Sequence, residues 1–142
     1  MLFLRLCVVF LICVTTILGQ NRTLKQCVSL VDCEKKADLT SIHRKKITFL
    51  SFGINEFSKD ATIQSLIPIY LKRAKSILLE ANGDTGYTGE VILKVTHKPE
   101  YKQAQLQKAE EDLSFIENQL AKCSPEQVKE FNELKGILQN SK

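Results

Sequence analysis

Histidine is scarce in this chain. The two present, His43 and His97, each stand beside Arg or Lys, and neither falls in a spacing such as His-x-x-x-His that a metal site needs. A Gly-x-Ser-x-Gly elbow, a dinucleotide fingerprint, a Gly-Lys-Ser/Thr phosphate loop and a Cys and His arrangement for thiol hydrolysis are also missing. Those absences set the expectation of a non-enzymatic protein with no cofactor and no metal. A strong charge of one sign is lacking as well: 20 basic residues face 16 acidic ones, for a net charge of +4. They are interspersed, which argues for solvated helix faces rather than a nucleic-acid surface. After residue 19 no apolar run approaches the roughly 20 residues that cross a bilayer, so no stable membrane insertion is expected.

What is present begins with Arg5 and an almost unbroken apolar run from Leu6 to Leu18, closed by Gly19. One basic residue, a short apolar core and a small residue describe a secretory signal peptide over residues 1–19, cleaved after Gly19. The expected mature chain, residues 20–142, is a single secreted, extracellular domain with enough length for one hydrophobic core. Asn21, Arg22 and Thr23 form an Asn-x-Thr glycan acceptor near its start.

Cys7 and Cys13 leave with the signal, so Cys27, Cys33 and Cys123 remain. Three cysteines in an oxidising compartment imply one internal disulfide and one thiol left over, buried, capped, or bridged to a second chain in a disulfide-linked dimer. If residues 27 to 33 are helical, their Cα atoms lie roughly 10 Å apart, since six residues rise about 9 Å. A disulfide needs Cα atoms within about 7 Å. The expected bridge is therefore Cys33 with Cys123, or Cys27 with Cys123, unless the segment between Cys27 and Cys33 is irregular.

Helical periodicity runs through most of the mature chain. Leu24, Val28 and Val31 suggest a short helix through Cys27. Between Leu39 and Phe57, Ile47, Leu50, Ile54 and Phe57 share one face while Phe49 and Phe52 point roughly opposite. Such a helix is sandwiched between neighbours or offers a surface to a ligand or subunit, although Gly53 weakens the reading. Ser58 or Asp60 can cap a helix carrying Ile63, Ile67, Tyr70, Ala74, Ile77 and Ala81. Pro68 should kink it unless it starts nearer Ser65, and Gly83 is placed to end it in the left-handed conformation. Asp84 to Gly89 is an irregular connection with too few ligands for a calcium loop. Residues 91–96 read as a strand or a short helix, and a break is expected near Pro99.

The cleanest helix signal lies from Tyr101 to Leu138. Leu106, Ala109, Leu113, Ile116, Leu120 and Cys123 form one apolar seam, with Lys108, Glu111, Asp112 and Asn118 off it. Ser124, Pro125 and Gln127 then give a restart signal with a capping box, ahead of an inner face of Val128, Phe131, Leu134 and Leu138. The whole predicts an all-α protein, a small antiparallel bundle of about four helices stapled by a disulfide. The acids Glu110, Glu111, Asp112 and Glu117, and the basic pairs Lys35–Lys36 and Lys72–Arg73, read as ordinary wet surface. The run His43 to Lys46 is the one local basic cluster that could meet an anionic partner.

The layout of a signal ending at Gly19, close Cys27 and Cys33, and a late Cys123 followed by Ser124 and Pro125 is similar to that of small secreted male accessory-gland proteins of insects. The resemblance implies an extracellular reproductive role in seminal fluid, without an enzymatic step or cofactor. Two working functions follow. One is an interaction protein that presents helix faces, with Phe49 and Phe52 as candidates, to an extracellular protein partner. The alternative is an extracellular carrier of a small apolar ligand between helices, lined by Phe52, Ile67, Tyr70 and Leu113. A peptidase inhibitor using the Asp84 to Gly89 loop is a third.

Overall fold

The computed structural model describes residues 27–87 and 96–142. The signal peptide, the Asn21 acceptor, Leu24 and residues 91–95 lie outside that set. Among the described residues the fold is all-α, with helices α1 (Leu30–Asp38), α2 (His43–Phe57), α3 (Ile63–Ala81), α4 (Pro99–Glu117) and α5 (Pro125–Ser141). Short 3₁₀ turns at Ser58–Asp60 and Leu120–Lys122 join α2 to α3 and α4 to α5.

α3 is the central element, packing against α2, α4 and α5, while α1 lies on α2. Its sequence buries two faces. Ile67, Leu71, Ala74, Ile77, Leu78 and Ala81 join α4 and α5 residues in the larger cluster. Leu66 and Ile69 join Leu30, Ala37, Leu50 and Ile54 of α1 and α2 in the smaller one. The two-sided apolar pattern expected of α2 is thus strongest in α3, whose extra positions Leu66, Ile69, Leu71 and Leu78 fill the second face. A helix apolar over this much of its circumference has to sit inside.

Local signals account for the ends. Thr62 caps α3, its hydroxyl accepting from Ser65 N–H at 3.2 Å, so the cap is neither Ser58 nor Asp60, which fall in the preceding turn. The helix runs on through Pro68, whose missing N–H costs one bond near its start. Gly83 follows the last turn at φ 90°. Pro99 stands at the first position of α4, the expected break. Ser124 and Gln127 form the reciprocal capping box of α5, Gln127 Oε1 accepting from Ser124 N–H at 2.9 Å.

The cysteines depart from expectation. Cys27 pairs with Cys33, their Cα atoms 4.9 Å apart, and Cys123 is a free, half-buried thiol. The Cys33–Cys123 and Cys27–Cys123 pairings are corrected by one local fact: α1 begins at Leu30 after its N-cap Ser29, so residues 27–29 are not helical and the chain folds back on itself. Ser29 Oγ accepts from Asp32 N–H at 3.2 Å and Asp32 Oδ2 from Val28 N–H at 3.0 Å, which fixes the turn. Cys33 is then fully buried against Gly53 of α2, where an added Cβ would stand 3.0 Å from Cys33 Cβ. Gly53 therefore marks a close approach of α1 to α2. The seam of α4 likewise stops short: the helix ends at Glu117, and Leu120 and Cys123 pack partly from beyond it.

Glycine substitutions test this geometry. Gly86 has φ +69°, and a Cβ there would collide with the carbonyl oxygen of Ser41. Gly136 of α5 has open space around it. Gly86→Ala should lower stability by more than about 1 kcal/mol, and Gly136→Ala should raise it by about 0.5–1 kcal/mol, in urea unfolding followed by circular dichroism.

Candidate functional site

Among the described residues, two clusters of interacting polar groups that include buried side chains involve α3. The first joins its middle to α4. Arg73 Nε donates to Asp112 Oδ2 at 2.9 Å and its Nη2 donates to Oδ1, a two-point clasp, while Nη1 donates to Ser51 Oγ of α2 at 3.2 Å. Asp112 is 1 % exposed. Burial pushes its carboxyl above the usual carboxylate range, against the pull of the Arg73 guanidinium. The Tyr70 ring lies beneath the guanidinium carbon at 5.3 Å and stacks on Phe115 at 4.0 Å between centroids. The sequence reading placed Asp112 and Arg73 on wet faces; the structure buries Asp112 and half-buries Arg73, each the other's counter-ion, 39 residues apart.

The second lies where the start of α2, the end of α3 and the start of α4 meet. Glu80, 4 % exposed, accepts through Oε1 from Arg44 Nε at 2.8 Å and from the Tyr101 hydroxyl at 2.9 Å. His97 stacks obliquely on Tyr101, ring centroids 4.7 Å apart. His43 is 8 % exposed, its Nε2 3.6 Å from Asp84 Oδ1 and its edge against Gly86. His43 N–H donates to Thr85 O at 3.1 Å, tying α2 to the turn after α3. His43 Nδ1 and His97 Nε2 are buried without a hydrogen-bond partner among the described residues. A cleft of about 260 Å³ opens here, lined by Ile42, Arg44, Glu80, Thr85 and His97. The basic run of residues 43–46 is thus not one surface: His43 turns inward and Arg44 is committed to Glu80. Sequence reasoning missed both groupings, because they assemble from three helices and no local spacing announces them.

The residues singled out in advance are placed as follows. Ile67 and Leu113 are core residues at 0 % and 4 % exposure, so neither offers a surface or lines a ligand cavity. Tyr70 is half-buried on Phe115, Phe49 packs against the smaller cluster, and Phe52 meets Phe57 edge-to-face at 6.2 Å. The structure does not bring Phe49, Phe52, Ile67 and Tyr70 together into one site. Cys123 Sγ lies 3.5 Å from Gln119 O, and burial pushes its thiol up, away from the reactive thiolate. Among the described residues no group of three His, Cys, Asp or Glu side chains is placed to hold a metal ion, and no helix is long and apolar enough to cross a membrane. Comparison with protein-family models, curated proteins and solved structures gives no match.

Two outcomes check these clusters. Asp112→Leu alone leaves a half-buried guanidinium without its counter-ion and should cost about 2–3 kcal/mol in urea unfolding, whereas Arg73→Met with Asp112→Leu should recover most of that. A double variant as unstable as the single one would show that the clasp is not the cause. For His43, burial holds the imidazole below its ordinary value despite Asp84 close by. Its folded-state value is lowered, so its contribution is intact above the unfolded value near 6.5 and is lost as pH falls below it. Wild type should lose stability relative to His43→Gln between about pH 7 and pH 5.5.

Proposed function

We propose that this chain is a secreted, non-enzymatic interaction protein, an antiparallel helical bundle whose disulfide-closed N-terminal turn engages an extracellular protein partner. The observation that supports this reading is the exposure of Val28, 82 %, in the turn before α1 and of Val31, 58 %, in its first turn, both within the segment closed by Cys27 and Cys33. A cross-linked, internally hydrogen-bonded turn loses little freedom on binding, which is how a small apolar contact becomes useful. The earlier candidates Phe49 and Phe52 are largely taken up by packing within the protein, so the exposed valines replace them as the contact surface. The similarity in layout to insect accessory-gland proteins extends the reading to seminal fluid.

The test pairs secretion with capture. Expression in insect cells should release a chain beginning at Gln20. Immobilised wild type should retain a defined protein from seminal fluid or mated-female tract extract, and Val28→Asp with Val31→Asp should weaken that capture at least about tenfold without lowering the melting temperature. Equal capture by both proteins would refute the valine surface, and retention of residues 1–19 in the cells would refute secretion.

A further inference from the structure

Helix α2 begins without a polar side chain to cap it. Its N-cap is Ile42, no acid lies in its first turn, and His43, Arg44, Lys45 and Lys46 follow in succession. A further cation is destabilising at the positive end of a helix dipole. One of the donors left over there, His43 N–H, is taken instead by the Thr85 carbonyl, 3.1 Å away in the turn after α3. That turn is itself braced. Asp84 Oδ1 accepts from Gly86 N–H at 2.8 Å, Asp84 N–H donates to Leu79 O at 3.0 Å, and Gly86 leaves no room for a Cβ against Ser41 O and the edge of the His43 ring. The imidazole is held between the turn and the start of α2.

Its two ring nitrogens stand differently. Nε2 faces Asp84 Oδ1 at 3.6 Å, while Nδ1 is buried with no hydrogen-bond partner among the described residues. A neutral ring needs an acceptor for one N–H only; an imidazolium carries a second N–H to the side where none stands. Of the groups around it, Asp84 and Glu80 favour the charge and Lys46 opposes it, beside Arg44 and Lys45 on the same turn. Asp84 is half exposed and so screened, and Glu80 is already engaged by Arg44 and by the Tyr101 hydroxyl of α4. Burial outweighs both acids.

We propose that His43 is an acid-sensitive latch: neutral, it holds the turn of residues 83–87 onto the start of α2, and protonated, it leaves its slot and lets the two part. The rest of the bundle stays folded, since His43 belongs to neither apolar cluster and the Arg73–Asp112 clasp does not touch it. The opened form differs from the global stability loss predicted above in being local. It is also independent of Val28 and Val31, so either reading can fail without the other.

Amide hydrogen exchange of the purified protein at about pH 7.4 and about pH 5.5, corrected for the intrinsic pH dependence of exchange, tests it. Peptides covering residues 42–46 and 83–87 should lose protection about tenfold or more at the lower pH, and those covering residues 131–138 of α5 should keep theirs. His43→Gln should abolish the pH-dependent loss, and His97→Gln should behave as wild type. Should His43→Gln fail to fold, an NMR titration of the wild type decides: the Thr85 and Gly86 amide signals should move with the midpoint of the His43 imidazole. Unchanged protection in the wild type, equal loss along the whole chain, a pH-dependent loss that persists in His43→Gln or vanishes in His97→Gln, or amide signals with a different midpoint would each overturn the proposal.

Discussion

The packing of α3 on its neighbours depends on a charge inside the protein. Asp112 is as buried as the leucines around it, and a carboxylate in that position is tolerated only with a counter-ion and filled hydrogen bonds. Arg73 supplies both, and it adds a bond to Ser51, so a single guanidinium touches α2 and α4 from its place on α3. Tyr70 and Phe115 close over the pair and belong to the margins of both apolar clusters. The clasp thus sits at the boundary between the two halves of the core. Apolar burial supplies the gross driving force there, but it is non-directional. The ion pair has one acceptable geometry, and that geometry fixes the register of α3 against α4.

The close packing elsewhere follows from how little room is left. α1 approaches α2 at Gly53, where any side chain would press on Cys33, and the turn after α3 approaches the segment before α2 at Gly86. Between them, these two contacts hold α2 at both ends. The disulfide acts in the same neighbourhood over a span of six residues, so it orders the entry to α1 rather than tying distant elements together.

Where the controlling interaction is local, the sequence is readable. Ser124, Pro125 and Gln127 announce the start of α5 because a capping box is made of residues three apart. The stripe from Leu106 to Ile116 shows because the helix repeats faster than its partners change. Ser29-x-x-Asp32 carried the same kind of signal, and reading it as a helix start would have freed Cys27 to turn back onto Cys33. Asp112 and Glu80 were illegible for the opposite reason. Their burial is decided by Arg73 and Arg44, 39 and 36 residues away, and a helical wheel assigns an acid to the outside until its partner is known.

The near-balance of charge has a structural meaning as well. Lys72 joins α3 to α1, Arg44 joins α2 to α3, and Lys135 joins α5 to Glu117 at the end of α4. Glu80 is buried, but the exposed pairs made by Lys72 and Lys135 contribute at most about 1 kcal/mol each, so their effect is to select one arrangement of helices more than to stabilise it. A composition of 20 basic and 16 acidic residues looks featureless as a sum, yet particular members of it join one helix to the next.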